Sequence, residues 1–289
     1  MQDLLQKVKK LEIKIRDLVT STLIGEYRSA FKGTGLEFDE VRSYRWGDDI
    51  RAIDWNVTAK TNEVYIKVFR EERELNLNVL FDISASQHFG SRGAHKMEVG
   101  TELAAIFAFC SLHNNDKFGL TAFTDRIELC TRPGKGRKHI MLSLSRLMTA
   151  QQNAAPRTNL RQALDFVANT QKRRSILFLI SDFIDQGYER SLVNLAKRHD
   201  VVLIRVFHPD EAPQEAAAFV PVMDLETGRQ HWLNRAEGRA LAAAFQDLDL
   251  RLRTLAKRHK FDFVSVDVTQ DYMPTLEKFF HERNQIHRF

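Results

Sequence analysis

Short apolar segments alternate with amphipathic segments from residue 75 to residue 289. The apolar segments are rich in Leu, Ile, Val and Phe and lie at residues 77–83, 175–180, 201–207 and 261–268. The first three are almost entirely apolar, which is typical of strands buried on both faces of a parallel sheet. Between them, apolar residues recur at helical spacing, as at residues 99–110 and 160–167. The alternation predicts an α/β fold in which helices cover a sheet.

Two pairs of segments depart from this alternation. KFGLTAF and RIELC are joined only by Thr124 and Asp125, which is too short for the crossover that a parallel neighbour needs. The second segment is therefore predicted to run antiparallel, and its alternating polar residues indicate a half-exposed edge strand. The other pair lies within VPVMDLETGRQHWL and predicts a hairpin that turns at residues 226–228.

Two further pieces precede the α/β region. Residues 3–20 place their apolar side chains on one face and most of their lysines elsewhere, which predicts an amphipathic helix. Packing on its own domain is favoured over a membrane-surface or partner-binding role. Residues 33–75 contain too many aromatic residues for a disordered linker. The predicted organisation is an N-terminal amphipathic helix at residues 1–24, a β-rich extension packed on the core at residues 25–74, and an α/β domain at residues 75–289.

The extension contains the charged segment RWGDDIRAIDW, residues 45–55. Its arginines and aspartates fit either a buried ion-pair network that locks the extension to the core or a surface that binds a partner. The structural interpretation is favoured. For the same reason, Trp46 and Trp55 are predicted to be packing anchors rather than exposed binding residues.

Composition limits the classes of partner and compartment. The net charge of +5 and the pI of about 9.2 permit nucleic acid or anionic lipid as a partner. The densest basic segment, residues 132–138, has no interleaved aromatic residues, so a solvated loop is predicted and no nucleic-acid partner is expected. Cys110 and Cys130 do not form a ligand-like pair, and reduced thiols are expected. With no signal-peptide pattern and no membrane-length apolar run, a cytoplasmic location is expected, and peripheral attachment at the inner membrane stays open.

Oxygen-bearing side chains gather where three segments of the α/β region end. The first segment, FDISAS, gives Asp82, Ser84 and Ser86; Asp182 ends the strand LFLIS; and Thr158 lies in PRTNL, just before a predicted helix. Ligands of doubly wound sheets bind beyond the carboxyl ends of the strands. A set of carboxylates and hydroxyls, without histidine or thiolate, selects magnesium or manganese before zinc. Such a metal keeps positive charge and can accept an acidic side chain from a partner protein.

Each of these residues also has an ordinary structural explanation. An aspartate or serine at a strand end most often forms a turn, and Thr158 alone would be interpreted as a helix N-cap. The argument for a metal site therefore depends on the order of all three segments, since Asp-x-Ser-x-Ser, a later threonine and a strand-terminal aspartate occur together in one chain.

In this order the sequence resembles the von Willebrand factor A domain with its metal-ion-dependent adhesion site. GLEFDEVRSYRWGDDIRAIDWNVTAK and FREERELNLNVLFDISAS further resemble the bacterial family catalogued as domain of unknown function fifty-eight, which has such a domain. The resemblance implies a doubly wound sheet. It also implies that Ser84, Ser86 and Thr158 supply hydroxyl oxygens to the cation, and that Asp82 and Asp182 bind it directly or through water. It implies association with MoxR-type AAA+ ATPases in complex assembly or cofactor insertion.

The sequence therefore predicts a non-enzymatic, metal-dependent protein-binding module. The alternative is a magnesium-dependent phosphatase of haloacid-dehalogenase type, with Asp82 as nucleophile and with Asp182 and Asp185 as further acids. Ser84 argues against that enzyme, because the enzyme family normally has an acid/base aspartate there. Binding of nucleic acid or acidic lipid through the basic surface is the third hypothesis.

Overall fold

The computed structural model describes residues 2–19, 21–31, 37–61, 63–70, 74–91, 94–211 and 219–286. The helices in these ranges are α1 (Gln2–Leu18), α2 (Ser21–Ala30), α3 (Trp55–Thr61), α4 (Lys96–His113), α5 (Arg137–Gln151), α6 (Leu160–Thr170), α7 (Glu189–Ala196), α8 (Arg235–His259) and α9 (Met273–Ile286). The strands are β1 (Glu37–Ser43), β2 (Tyr65–Arg70), β3 (Asn76–Asp82), β4 (Gly90–Ser91), β5 (Ala94–His95), β6 (Lys117–Phe123), β7 (Ile127–Gly134), β8 (Ile176–Ser181), β9 (Asp200–Phe207), β10 (Phe219–Met223), β11 (Gln230–Asn234) and β12 (Asp262–Asp267). The predicted α/β alternation is confirmed.

A six-stranded sheet in the order β12-β9-β8-β3-β6-β7 forms the centre of the fold. All neighbours are parallel except β6 and β7, which confirms the predicted hairpin and edge strand. The strand order reverses at β3, because β6 lies on one side of it and β8 on the other. The sheet is therefore doubly wound and von Willebrand factor A-like, as the resemblance implies. The carboxyl ends of β3 and β8 meet where such sheets bind ligands.

The edge strand β7 is longer than the residue pattern predicts. It extends to Gly134, so residues 132–134 are part of a strand, and the prediction of a loop is wrong for them. The cause is Thr131: its hydroxyl accepts a hydrogen bond from the Leu120 N–H and donates one to the Leu120 carbonyl, at 2.9 and 3.2 Å. These bonds continue the pairing beyond Cys130. Cys110 is buried and Cys130 is exposed, and both are free thiols.

Helix α4 packs against the sheet at a very short distance. At Gly100, an added Cβ would lie 2.5 Å from ring atoms of Phe81 in β3. The Phe81 ring is completely buried, so it has no free space into which it can move. The absence of a side chain at Gly100 therefore sets how closely α4 approaches the strand that ends at Asp82.

We expect Gly100→Ala to lower the free energy of unfolding by about 1–3 kcal/mol through overpacking against Phe81. This loss exceeds the gain of about 1 kcal/mol that alanine normally brings to a helix interior. Urea unfolding followed by circular dichroism measures the change. Gly25→Ala in α2 is the matched control, because nothing lies within 4 Å of the added Cβ, and it is expected to stabilise. Equal effects of the two changes would contradict the packing argument.

The N-terminal segment folds as two helices rather than as one predicted helix. Helix α1 ends at Leu18, and α2 begins at Ser21; Thr20, between them, lies outside the described residues. Helix α1 packs against α4 and α5, where Leu11 and Ile15 are buried. This is the packing that the sequence favours over a membrane-surface role. Helix α2 packs against α9.

The chain divides into two compact units, one formed by Met1–Ala30 with Asn76–Phe289 and the other by Phe31–Leu75. In the second unit, β1 pairs antiparallel with β2 and has an irregularity between Phe38 and Glu40. Residues 32–36, 62 and 71–73 of the predicted extension lie outside the described residues. The boundaries after residues 24 and 74 stay predictions.

Aspartates shape the RWGDDIRAIDW segment within this second unit. Asp48 accepts two hydrogen bonds from the guanidinium of Arg42, at 2.8 and 2.7 Å. Asp49 caps a short 3-10 helix by accepting a bond from the Arg51 N–H, at 2.9 Å. Asp54 accepts backbone bonds at the start of α3. These charges therefore stabilise local turns and helix starts.

The two tryptophans of the same segment are exposed. Trp46 lies in a turn and is 99% exposed, and Trp55 begins α3 and is 69% exposed. The prediction that they are packing anchors is wrong. The prediction fails because hydrogen bonds to aspartate side chains, rather than apolar packing, set the backbone conformation at both positions.

Candidate metal centre

The Asp-x-Ser-x-Ser turn begins at the last residue of β3. Asp82 is completely buried, and its Oδ1 accepts a hydrogen bond from the Ser84 N–H at 3.0 Å. This bond turns the chain directly after the strand. A short 3-10 helix, Ala85–His88, follows, and the hydroxyl oxygens of Ser84 and Ser86 lie 3.1 Å apart. The turn therefore places a carboxylate and two hydroxyls close together.

The end of β8 contacts this turn directly. The Ser181 hydroxyl donates a hydrogen bond to Asp82 Oδ2 at 2.7 Å and accepts one from the Phe183 N–H at 3.1 Å. Asp182, the next residue, is also buried, and its Oδ1 accepts a bond from the Ile184 N–H at 3.1 Å. Phe183 has a φ of 61°, a conformation that bulky residues rarely adopt. The backbone thus turns sharply at Phe183, directly after Asp182, whose carboxylate lies at the strand end.

The two aspartates differ in protonation behaviour. Burial, together with the charge of Asp182, raises the pKa of Asp82 to about 7. Burial alone would also raise the pKa of Asp182, but the charge and hydrogen bond of Lys96 and a hydrogen bond from Ser86 lower it below its ordinary value. The hydrogen bond from Ser181 to Asp82 joins the end of β8 to the turn after β3. Asp82, Ser84, Ser86 and Asp182 thus form one continuous group.

Thr158 reaches this region through a different set of contacts. Its hydroxyl donates a hydrogen bond to Glu226 Oε1 at 2.7 Å. The loop that carries it is held against the β3 turn, because the Pro156 carbonyl accepts a bond from the Ala85 N–H at 2.9 Å. Asn159, rather than Thr158, is the N-cap of α6. The threonine therefore lies beside the site without being needed as a helix cap.

Lys96, the first residue of α4, is an important member of the site that the sequence analysis missed. Its side chain is completely buried and donates a hydrogen bond to Asp182 Oδ2 at 2.9 Å. It also pairs with Glu211, which follows β9 and accepts a bond from the His208 N–H at 3.0 Å. A lysine at a helix start gives no signal of this role. The sequence gives a weak signal for the role of Glu211, since this residue follows a strand of the same sheet.

Within the described residues of this region, four carboxylates accompany one ammonium group and the buried guanidinium of Arg205, whose charge acts on Glu211 and Asp182. The carboxylates are those of Asp82, Asp182, Glu211 and Glu226, and the ammonium is that of Lys96. Burial raises the pKa of both glutamates, and the charge of Asp182 adds to this effect in each. The described part of this region thus gathers more acid groups than basic groups, which is a charge balance that suits a bound divalent cation.

The donor chemistry fits a hard cation when the hydroxyls are included. Among the described residues, no group of three or more His, Cys, Asp or Glu side chains has an arrangement that could hold a metal ion. The serine and threonine hydroxyls are therefore necessary to complete a set of ligands. Oxygen donors of this kind suit magnesium or manganese. The assignment of Asp82, Ser84, Ser86, Thr158 and Asp182 as ligands stays a prediction.

Comparison with known proteins establishes the family. A family model described as protein of unknown function DUF58 matches residues 40–268. The chain belongs to the DUF58 family. Two relatives are uncharacterized proteins, Rv1480 of Mycobacterium tuberculosis and Mb1516 of Mycobacterium bovis. Each is 29% identical over 224 residues, which cover 76% of this chain and 70% of the relative.

Solved structures also align with this DUF58 protein at low similarity. BatB from Bacteroides thetaiotaomicron aligns with 15% identity and a TM-score of 0.45, covering 73% of this chain and 99% of its own. An aerotolerance-related membrane protein from Bacteroides fragilis gives 15% identity and a TM-score of 0.49, covering 72% and 99%. The sheet order, rather than these superpositions, defines the fold here. In the described part of the chain, no helix has the length and apolar character needed to cross a bilayer.

Proposed function

We propose that this DUF58 protein is a non-enzymatic module that binds a partner protein through a divalent cation, magnesium or manganese. Asp82, Ser84, Ser86, Thr158 and Asp182 would hold the cation. When bound, the cation supplies positive charge that an acidic side chain of a partner can ligate. The observation that carries the proposal is the hydrogen bond from Ser181 to Asp82, because it joins the end of β8, next to Asp182, to the turn that carries Ser84 and Ser86.

The chain's own residues prepare this site. The backbone N–H groups of Ser84 and Ile184 fix the two aspartates, so little reorganisation is needed when a ligand arrives. Lys96 keeps Asp182 ionised by lowering its pKa. The burial of Asp82 excludes water from one side of the site. These features support selective binding of a small, hard cation.

We propose a MoxR-type AAA+ ATPase as the partner, in the assembly or maturation of protein complexes. This part of the proposal rests on what the family resemblance of the sequence implies. The setting would be the cytoplasm, with peripheral contact at the inner membrane as a further option. No nucleic acid is part of the proposal.

The contacts of the acidic residues favour binding over phosphatase chemistry. A nucleophilic aspartate must be ionised and accessible to substrate. Asp82 is completely buried, both of its oxygens accept hydrogen bonds, and its pKa is raised to about 7, with burial as the main cause. Asp185, the further acid of the alternative mechanism, accepts a bond from the Leu160 N–H at 2.8 Å and so serves the start of α6.

Capture of a purified MoxR-type ATPase from the same genome tests the proposal. We expect wild-type protein to retain the ATPase in magnesium and to release it in a chelator. Asp82→Ala and Asp182→Ala are each expected to reduce capture at least roughly tenfold, because each change removes a carboxylate oxygen from the cation. Retention is quantified by elution from immobilised protein.

Glu282→Ala is the control for this experiment, because Glu282 is exposed on α9. It should capture the ATPase as the wild type does. Unchanged capture by both aspartate variants would contradict the proposed role of the cation. Steady hydrolysis of p-nitrophenyl phosphate that Asp82→Asn abolishes would instead favour the phosphatase.

A further inference from the structure

The hairpin formed by β10 and β11 presents a defined acidic tip. Asp224 accepts hydrogen bonds from the Glu226 N–H at 2.8 Å and from the Thr227 N–H at 3.2 Å. The Gly228 N–H donates to the Asp224 carbonyl at 2.8 Å, and Gly228 has a φ of 69°, which favours glycine. The turn is thus closed by its own side chain and backbone. Its shape fixes the direction in which Glu226 points.

Glu226 contacts the candidate metal centre. Its Oε1 accepts the bond from the Thr158 hydroxyl at 2.7 Å, and its Oε2 accepts a longer bond from the Thr158 N–H at 3.4 Å. Glu226 is half-buried at this position. The carboxylate of the hairpin therefore lies against one of the five predicted ligands of the cation.

The position of the Glu226 carboxylate is electrostatically unfavourable when no cation neutralises its charge. The groups of Thr158 that bind Glu226 are a neutral hydroxyl and a neutral amide. The ammonium of Lys96 is already engaged by Asp182 and Glu211. A half-buried carboxylate held by neutral groups gains stability when a divalent cation binds beside it.

We propose that Glu226 is an acidic ligand of the cation, supplied by the chain's own hairpin at the coordination position that a partner's acid would occupy. This inference rests on the proposed function, because it takes the cation site as given and names its intramolecular occupant. The hairpin then acts as a tethered ligand. An acidic partner has to displace Glu226, so partner binding and release of the hairpin are coupled.

Binding of Mn²⁺ to the full chain tests this role without any partner. Free Mn²⁺ is measured by electron paramagnetic resonance, and water on the bound ion is measured by proton relaxation. Glu226→Gln is expected to weaken Mn²⁺ binding by at least about tenfold and to increase the relaxation per bound ion, because water enters the position that the carboxylate leaves. Glu282→Gln, on the exposed face of α9, is expected to match the wild type in both measurements.

The outcomes separate this inference from the proposed function. If Asp82→Ala abolishes Mn²⁺ binding while Glu226→Gln binds with unchanged or higher affinity and unchanged relaxation, the cation site stands and the role of Glu226 is overturned. If the folded wild type binds no Mn²⁺, both are overturned. If Glu226→Gln binds Mn²⁺ more weakly and with higher relaxation per bound ion, while Glu282→Gln matches the wild type, the results support Glu226 as a tethered ligand.

Discussion

Replacing Lys96 by methionine is expected to lower the free energy of unfolding by about 3–5 kcal/mol, the usual result of removing one partner from a buried ion pair. The ammonium is completely buried and binds both Asp182 and Glu211. Methionine fills a similar volume but cannot neutralise either carboxylate. Asp182 and Glu211 would then lose the ammonium that pairs with both of them. Urea unfolding in a chelating buffer, followed by circular dichroism, measures the loss.

A control variant and the addition of magnesium show whether the loss of stability comes from the buried ion pair. Lys197→Met changes an exposed lysine at the end of α7 and is expected to alter stability by less than about 0.5 kcal/mol. Magnesium should stabilise Lys96→Met more than it stabilises the wild type, because the cation takes over part of the neutralisation of Asp182. A loss below about 1 kcal/mol in Lys96→Met would contradict the ion-pair network described here.

Asp82→Ala is expected to weaken magnesium binding at least roughly 100-fold, since it removes a buried carboxylate from the centre of the ligand set. The variant loses the acceptor for Ser84 and Ser181, so circular dichroism must first show that it is folded. Asp82→Asn is the second variant, because it keeps the shape and one acceptor. Both variants are compared with the wild type by calorimetric titration.

The same carboxylate predicts how magnesium binding depends on pH. The pKa of Asp82 is raised to about 7 in the absence of a cation, chiefly by burial. A cation binds the ionised form, so binding requires loss of a proton at neutral pH. The affinity of the wild type should therefore fall about tenfold from about pH 8 to about pH 6. In Asp82→Asn this dependence on pH should be largely lost, and an equal dependence in both proteins would contradict the assignment.

The strands of the central sheet could be predicted because a strand that is buried on both faces is rich in apolar residues along its length. Strands β3 and β8 are rich in apolar residues, and the two-residue connection between β6 and β7 excludes a parallel pair. The order of the strands was available only from the family resemblance, because periodicity does not report which strands are neighbours. The length of β7 was missed, since its extension depends on the side chain of Thr131.

The candidate site could be predicted in part. Asp82, Ser84, Ser86 and Asp182 follow strands, and the carboxyl ends of parallel strands meet at one edge of the sheet. Lys96 and Glu226 come from a helix start and a distant hairpin. Their contribution depends on tertiary contacts between segments far apart in sequence, and no local spacing rule describes those contacts.

The exposed tryptophans show a different limit of sequence reasoning. Large aromatic residues are usually buried, yet Trp46 is almost fully exposed. Asp48 and Asp49 shape the turn around it through hydrogen bonds. Composition alone does not distinguish an aromatic residue that packs from one that a capped turn holds in solvent.

Calorimetric titration of magnesium and manganese into the wild type and into folded Asp82→Ala tests the central claim most directly. The account predicts one saturable cation site in the wild type and its loss in the variant. Absence of binding by the well-folded wild type, or equal binding by both proteins, would contradict the claim that the ends of β3 and β8 form a metal centre.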